Sequence, residues 1–509
     1  MIAFVAGLLA LIVHAATAGR YGYFRDELYF IACAHHLAWG YVDQPPLVAI
    51  AAWLALPAGD SLLALRALPV IAAVLTTVVA IAIARDLGGG HFARILTALT
   101  VGFMPAYLAL GNLLTTSSFE GLSWTLVAWL AIRLARGEDA HTSPRLWIAL
   151  AFAVAFGLYG KYSMCLAAAC FLAGLLLTRE RRVLATPWFP LALALSFVLV
   201  LPNFIWQLQH GFPFLEVLNG DAAHRHAFNN GLVLESQNLA SNTIAYIGEQ
   251  ILYTNPIAVP IWIVGIIAPF AMPSLRRARF VSIAWLLLIA VAVVLEAKGY
   301  YTTGIYAALF AIGSVVVERA ASWLRGMALA CIAVVALVSM PMSIPVLSLQ
   351  EFLAYSKALG LTGHDGQPVR LIEPLYAEEF GWDRLARDVA RVYSSMAPGT
   401  RNLTAVYADT YADAGAIDFF GSRYGLPKAI SSQNTYWLWG TRGYDGQTLI
   451  AIGATRIDIL KQYYERCELV ATSTEPLKWI VEGPSPIYFC AGAKEPFEQI
   501  WQHLRWYGA

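Results

Sequence analysis

Eleven long apolar runs constrain the fold of this chain more than any other feature of its sequence. A helix of roughly 20 apolar residues crosses the hydrocarbon core of a bilayer. Because 59% of the 509 residues are hydrophobic and only 13% are charged, a water-soluble fold could not bury this much apolar surface. The sequence therefore predicts a polytopic α-helical membrane protein with about 11 spans, in a range of about 11 to 13. The runs cover 1–19, 62–84, 95–112, 117–136, 146–160, 163–178, 188–206, 248–272, 280–297, 302–318 and 326–348.

Arginine residues cluster in alternate loops between these runs, and basic residues accumulate on the cytoplasmic side of a membrane. An odd number of spans that starts inside places the C-terminus outside, together with the loop at 20–61. The N-terminal run has no basic region before it and no evident cleavage site, so we expect it to stay attached as the first span. The formal net charge of +1 offers no field that would attract nucleic acid. The loops assigned to the inside contain Arg85, Arg94, Arg133, Arg136, Arg145, Arg179, Arg181, Arg182, Arg276, Arg277, Arg279, Arg319 and Arg325.

The composition changes to that of a soluble domain after about residue 349. Strand-like runs at 403–408, 449–453, 469–472 and 487–490 alternate with helical runs at 409–424, 457–466 and 495–504, which is typical of an α/β domain. The sequence thus predicts a membrane domain at 1–349 and an external, periplasmic α/β domain at 350–509. Cys467 and Cys490 both lie in this second domain and can pair if the compartment is oxidising.

The loop at 20–61 carries an unusual set of acids for an apolar chain, namely Asp26, Glu27 and Asp43. A carboxylate at the membrane face is partly desolvated, which raises its basicity and suits a general base. The alternative for Asp26 and Glu27 is a helix N-terminus, where the helix dipole favours acids. Asp43 precedes the rigid pair Pro45-Pro46, which fixes a corner of the backbone. The alternative for Asp43 is an ordinary turn stabilised by its side chain.

Four motifs together give the sequence a family resemblance. They are Asp26-Glu-Leu-Tyr, Tyr41-Val-Asp-Gln-Pro-Pro-Leu, Gly157-Leu-Tyr-Gly-Lys161 and Lys298-Gly-Tyr-Tyr301. With their order among the spans and the soluble tail, the chain resembles GT-C glycosyltransferases of the glycosyltransferase family 39 type. That group includes protein O-mannosyltransferases and bacterial aminoarabinose transferases.

The resemblance implies an inverting transfer of a sugar from a polyprenyl-phosphate donor to an acceptor hydroxyl. It implies the outer face of a bacterial inner membrane, where the acceptor would be a lipid, glycan or protein of the cell envelope. Asp26 matches the family's essential aspartate and would be the base, while Glu27, Asp43 and Tyr41 would support it or bind the acceptor.

The sequence departs from aminoarabinose transferases where those carry positive charge, because Gln44 and Tyr29 replace their lysine and arginine. The resemblance therefore leaves Lys161, Lys298 and Tyr301 as the residues expected to bind the donor phosphate. The alternative for the lysines is that they extend to the membrane interface only to keep their charge in water.

A divalent metal is a second way to bind the phosphate. In relatives the acid of the Pro-Pro corner helps to hold an ion with a histidine, which maps to Asp43 with His210, His224 or His226. The expectation from the sequence is that no cofactor is required.

A transporter or flippase of lipid-linked sugars is the main rival function, and a non-catalytic envelope assembly protein is a further one. Transporters place ionisable residues near the bilayer midplane, often on broken helices. Here the acids cluster in an external loop, which favours an enzyme. An assembly protein would leave the combination of Asp26, Asp43 and Lys161 without a role.

Overall fold

The computed structural model describes residues 1–135, 144–219, 239–360, 375–453, 455–475, 477 and 484–508. Its contacts form two compact units. The first contains Met1–Arg20, Leu63–Ile205 and Asn229–Arg370, and the second contains Tyr21–Leu62, Trp206–Phe228 and Leu371–Ala509. The division of the chain into 1–349 and 350–509 stays a prediction, and the contacts group the loop at 21–62 with the C-terminal residues.

Helices make up the first unit. Short 3₁₀ turns join several of them, at Thr116–Phe119, Arg179–Ala185, Pro256–Ala258, Pro273–Ala278 and Gly299–Ile305. The α-helices that lie or begin in this unit are Ile2–Thr17, Ala67–Asp86, His91–Gly102, Pro105–Gly111, Glu120–Leu134, Pro144–Gly160, Ser163–Leu176, Trp188–Gln209, Leu239–Tyr253, Val259–Ala271, Arg279–Val294, Tyr306–Val317, Ser322–Ser343 and Leu349–Ala358, with a single turn at Leu62–Leu65.

Five helical segments in the described part of the chain are long and apolar enough to cross a membrane, or up to eight if each bent pair of helices is one span. The multi-pass membrane character is confirmed, whereas the count of about 11 is not. Several predicted spans are shorter than a full crossing, as in Ile2–Thr17 and Pro144–Gly160. The five segments are Ala67–Asp86, Trp188–Gln209, Pro273–Val294, Gly299–Val317 and Ser322–Ser343.

Two runs predicted as single spans, 95–112 and 248–272, are each broken in the structure. The first bends by 60° before Pro105 and the second by 101° before Pro256. Proline lacks the N–H that continues a helix and disfavours helical backbone at the residue before it. Asn255 accordingly has a φ of 70°. Each of these two runs therefore forms two helices instead of one continuous helix.

The second unit contains a five-stranded mixed sheet. Its strands are β1 (Ala405–Ala408), β2 (Ile430–Ser431), β3 (Thr448–Ile452), β4 (Tyr464–Ser473) and β5 (Ser485–Ala493). Their order is β2-β1-β3-β5-β4, with β1 parallel to β2 and β3 and with β5 antiparallel to β3 and β4. The helices of this unit are Arg25–Ala34, Leu47–Ala55, 213–219, Trp382–Ser395, Pro398–Arg401, Tyr411–Phe420, Asn434–Leu438, Ile457–Tyr463 and Phe497–Leu504, with 3₁₀ turns at Leu56–Ala58, Ala377–Glu379 and Gly421–Tyr424.

Four of the strands lie where the sequence predicts them, and two differences are instructive. The two-residue β2 is too short to give a pattern, and residues 464–466, predicted as helix, begin β4. That segment is extended because β4 pairs with β5 along its length, and a disulfide joins the opposed residues Cys467 and Cys490. All four residues of β1 are buried, as expected for a parallel strand covered on both faces.

The parallel strands position the polar residues discussed below. Carboxyl ends of parallel strands meet at one edge of a sheet, and Asp409 and Gln433 follow β1 and β2 there. The helix Tyr411–Phe420 begins after β1 and packs on the helix Arg25–Ala34. At Gly415 an added Cβ would come within 2.9 Å of the Leu28 carbonyl carbon. Only glycine allows the two helices to approach so closely.

Candidate active site

The first turn of the helix Arg25–Ala34 holds Asp26 and Glu27, and the two acids have different surroundings. Glu27 is fully buried and its carboxylate accepts a hydrogen bond from the Phe24 N–H at 2.9 Å. This contact satisfies a backbone donor that the start of a helix leaves unpaired. Glu27 thus holds the start of the helix, and its part in the site stays a prediction.

The Asp26 carboxylate is held through one oxygen and is open to solvent. Its Oδ1 accepts a hydrogen bond from the Tyr411 hydroxyl at 2.9 Å and lies 3.3 Å from Arg25 Nε. The same Arg25 Nε lies 3.3 Å from Glu378 Oε2. The Asp26 side chain is 28% exposed. A carboxylate that is fixed in direction and still reachable can take a proton from a bound hydroxyl.

Asp43 lies at the corner before the two prolines, and its Oδ1 accepts a hydrogen bond from the Tyr29 hydroxyl at 2.8 Å. Tyr41 N–H donates to the Gln44 carbonyl at 3.1 Å, which closes the corner. The Tyr41 ring is completely buried, and its hydroxyl donates to the Cys33 carbonyl at 3.2 Å. Tyr41 therefore fixes the corner, and its burial argues against direct contact with an acceptor.

Tyr29 and Tyr411 connect the surroundings of Asp43 and Asp26, because their ring centroids are 4.8 Å apart. Burial, reinforced by the Asp43 carboxylate, raises the pKa of Tyr29 well above its usual value of 10.0. Burial likewise raises the pKa of Tyr411, with Arg25 opposing and Asp26 adding to the effect. Both phenols consequently stay protonated and donate hydrogen bonds to the carboxylates.

In the first unit, Lys161 lies in a second polar cluster, between the helices Pro144–Gly160 and Ser163–Leu176. Its Nζ donates to Ser117 Oγ at 2.7 Å and lies 3.4 Å from Glu120 Oε2. The Nζ also lies 3.8 Å from the Tyr301 ring centroid, in a cation–π contact. The structure thus brings together Lys161 and Tyr301, two of the three residues predicted to bind phosphate.

Glu120 neutralises this lysine from a buried position. Its side chain is only 5% exposed, and its Oε1 also accepts a hydrogen bond from Ser163 Oγ. Lys298 precedes the 3₁₀ turn Gly299–Ile305, is exposed, and repels Lys161 electrostatically.

Glu120, Arg25 and Tyr411 are absent from the residues that the motifs single out. Glu120 could have been found, because an acid inside the apolar run 117–136 is expensive in a membrane and needs a partner. Arg25 adjoins the Asp26-Glu27 motif but does not itself match it. Tyr411 is 385 residues from Asp26 in sequence, and nothing local indicates the contact.

The metal hypothesis rests mainly on residues outside the described part of the chain, since His224 and His226 lie there. Among the described residues, no group of three or more His, Cys, Asp or Glu side chains could hold a metal ion. His210 stacks on Trp206 at 4.0 Å between ring centroids, and its Nδ1 is 2.8 Å from the Trp206 carbonyl oxygen. Metal binding through Asp43 stays a prediction.

Comparison with known proteins gives a family match and a shared fold. Residues 43–206 match the dolichyl-phosphate-mannose-protein mannosyltransferase family, while no curated protein matches the sequence. The crystal structure of ArnT from Cupriavidus metallidurans bound to undecaprenyl phosphate is similar, with 14% identity, a TM-score of 0.63, and coverage of 96% of this chain and 97% of that one. The same protein in the apo state gives 13% identity, a TM-score of 0.62 and the same coverage.

At this level of identity the similarity to ArnT shows the fold. The family match contributes independent sequence support, and it covers the Asp43 corner and Lys161. Together they confirm the predicted resemblance to glycosyltransferases of GT-C type: the fold is that of ArnT, and residues 43–206 match the mannosyltransferase family.

Proposed function

We propose that the protein is an inverting glycosyltransferase that moves a sugar from a polyprenyl-phosphate donor to an acceptor hydroxyl at the outer face of a bacterial inner membrane. Asp26 is the general base. The observation that carries this assignment is its carboxylate, which is fixed through Oδ1 by Tyr411 and Arg25 and is 28% exposed.

The reaction needs one proton acceptor and a stabilised leaving group. The acceptor oxygen attacks the anomeric carbon, its proton moves to Asp26, and the bond from that carbon to the phosphate oxygen breaks. Attack from the face opposite the phosphate inverts the anomeric centre, through an oxocarbenium-like state. The products are a glycoside and the free polyprenyl phosphate.

The departing phosphate needs positive charge to stabilise it. We assign that role to Lys298 first and to Lys161 with Tyr301 second, since Glu120 already pairs with Lys161. The similarity to ArnT, whose structure holds undecaprenyl phosphate, supports a polyprenyl-phosphate donor. The sugar and the acceptor stay open, because they depend on pocket shape rather than on fold.

The decisive experiment measures sugar transfer by the purified protein from a panel of radiolabelled polyprenyl-phosphate sugars. Asp26→Asn keeps the shape of the side chain and removes its basicity, so turnover is expected to fall by about 10²- to 10⁴-fold. Donor binding should persist in this variant.

Asp60→Asn is a suitable control, because Asp60 belongs to the same external segment and its exposed side chain pairs with Arg423. This variant should keep wild-type turnover. Full activity of Asp26→Asn would overturn the mechanism. Movement of lipid-linked sugar across vesicles without any transfer would favour the flippase alternative.

A further inference from the structure

The hydroxyl that holds Asp26 comes from the C-terminal part of the second unit. Tyr411 is the first residue of the helix Tyr411–Phe420 and follows β1 by three positions. Its hydroxyl lies 2.9 Å from Asp26 Oδ1. No motif in the sequence marks this residue.

The direction of the Tyr411 side chain is fixed from several sides. Its backbone N–H donates to Gln433 Oε1 at 2.7 Å, which ties the end of β1 to the segment after β2. The residue is only 8% exposed, and its ring packs 4.8 Å from that of Tyr29. The Arg25 guanidinium carbon lies 5.8 Å from the ring centroid. A phenol held in this way does not have to be ordered when substrate binds.

We propose that Tyr411 is a positioning residue of the transfer reaction, whose phenol holds Asp26 Oδ1 and directs Oδ2 toward the acceptor hydroxyl. This inference rests on the proposed function of Asp26. The acceptor proton moves to Oδ2, and Tyr411 keeps its own proton throughout, so the phenol neither gains nor loses charge.

The Tyr411 hydroxyl shares the Asp26 carboxylate with Arg25, whose Nε also lies 3.3 Å from Glu378 Oε2. A hydrogen bond to an ionised carboxylate is stronger than one between neutral groups. Loss of the phenol should therefore be measurable in the rate of transfer.

The test variant is Tyr411→Phe, which removes one hydroxyl and retains the ring. We expect kcat to fall about tenfold, the lower end for a lost hydrogen bond to a charged group. The KM for the polyprenyl-phosphate sugar should be unchanged, because the phenol acts on the base and not on the donor. An unaltered kcat would overturn the proposal.

Tyr436→Phe is the matched control. Tyr436 is also buried, and its ring lies 6.0 Å from that of Tyr29, but its hydroxyl donates to Asp418 Oδ2 at 3.1 Å. Loss of this hydroxyl should leave kcat at the wild-type value. An equal fall in kcat in both variants would mean that the effect comes from packing, and would also overturn the proposal.

A double-mutant cycle measured by thermal melts tests the contact between Tyr411 and Asp26 without any turnover. Tyr411→Phe should lower the melting temperature of the wild type more than that of Asp26→Ala, because only the wild type has the carboxylate partner. An equal fall in melting temperature in the wild type and in Asp26→Ala would show that the contact does not stabilise the protein, and would overturn the proposal. If Asp26→Asn retains full transfer while the thermal coupling is present, the proposed function fails and the contact itself stands.

Discussion

The carboxylates of Asp26 and Glu120 differ in how far they are exposed and in how they are paired. Asp26 is partly exposed and shares Arg25 with Glu378. Glu120 is buried and accepts hydrogen bonds from Lys161 and Ser163. Removing one member of a buried ion pair typically costs about 3–5 kcal/mol, because the other charge is left without a partner. The Glu120–Lys161 pair is therefore suited to a structural role.

This pairing leads to a prediction about Lys161 and Lys298. Lys298→Ala should weaken donor binding by about tenfold, the loss expected for one charge-assisted hydrogen bond. Lys161→Ala should lower the melting temperature more than it lowers donor affinity, since it leaves Glu120 buried without its cation. Binding of a fluorescent polyprenyl phosphate to detergent-solubilised protein measures the first effect, and a thermal melt measures the second.

Lys298→Arg is the matched control, because it retains the positive charge and should keep most of the affinity. Lys298 would not be the first phosphate-binding residue if Lys161→Ala abolished donor binding at an unchanged melting temperature while Lys298→Ala bound the donor normally. In that case Lys161 would contact phosphate despite its pairing with Glu120.

At the scale of single elements, the carboxyl end of β1 carries a buried acid, Asp409. Its Oδ2 accepts a hydrogen bond from the Arg456 N–H at 3.1 Å, and the residue is 1% exposed. Gly453 approaches this carboxylate so closely that a Cβ there would come within 2.7 Å of Oδ2. Burial raises the pKa of Asp409 from 3.8 to about 7, with the Arg456 N–H opposing and the Asp413 carboxylate adding to the rise.

The raised pKa predicts how stability changes with pH. The folded protein binds the Asp409 proton more tightly than the unfolded chain, so this contribution is fully present below about pH 4 and is lost as pH rises through about 7. The melting temperature of the wild type should fall between pH 5 and 8. Asp409→Asn resembles the protonated acid and should reduce that fall, as thermal melts across this range would measure.

The melting temperature of Asp409→Asn should still fall somewhat as pH rises, because burial also raises the pKa of Asp418. Asp458→Asn is the control, since the Asp458 side chain is 90% exposed and its loss should leave the profile unchanged. Identical pH profiles for wild type and Asp409→Asn would contradict the prediction.

Elements with a strong local pattern could be predicted from the sequence, and elements set by distant contacts could not. The apolar run 188–206 corresponds to the helix Trp188–Gln209, and the run 449–453 to β3. The breaks before Pro105 and Pro256 could have been read from the prolines themselves, but run length alone suggested continuous spans. β4 begins at Tyr464 because β5 pairs with it, and β5 lies about 20 residues further along the chain, beyond any local pattern.

At the scale of the whole molecule, distance along the chain explains which parts of the candidate site could be predicted from the sequence. Asp26 and Asp43 share one loop, so their proximity could be inferred from the sequence. The tyrosines that donate hydrogen bonds to these carboxylates lie at very different distances along the chain. Tyr29 is 14 residues from Asp43, whereas Tyr411 is 385 residues from Asp26. A contact over the second distance is set by how the helix Tyr411–Phe420 packs on the helix Arg25–Ala34, which no local pattern encodes.

The distribution of arginine along the whole chain gives the last prediction, the orientation in the membrane. Arginine-rich loops mark the cytoplasmic side, so Arg182 should face the cytoplasm and Asp458 the outside. In a background with the exposed cysteines Cys165 and Cys331 replaced by serine, Asp458→Cys should react with a membrane-impermeant maleimide on intact spheroplasts. Arg182→Cys should react only after the membrane is permeabilised.

Both positions are exposed in the structure, so the membrane alone should decide their accessibility. Labelling of Arg182→Cys in intact spheroplasts, with Asp458→Cys protected, would reverse the orientation. Because Asp26 and the C-terminal residues belong to one compact unit, that result would place the proposed base on the cytoplasmic side. The donor would then have to present its sugar at the inner face, and transfer at the outer face would be wrong.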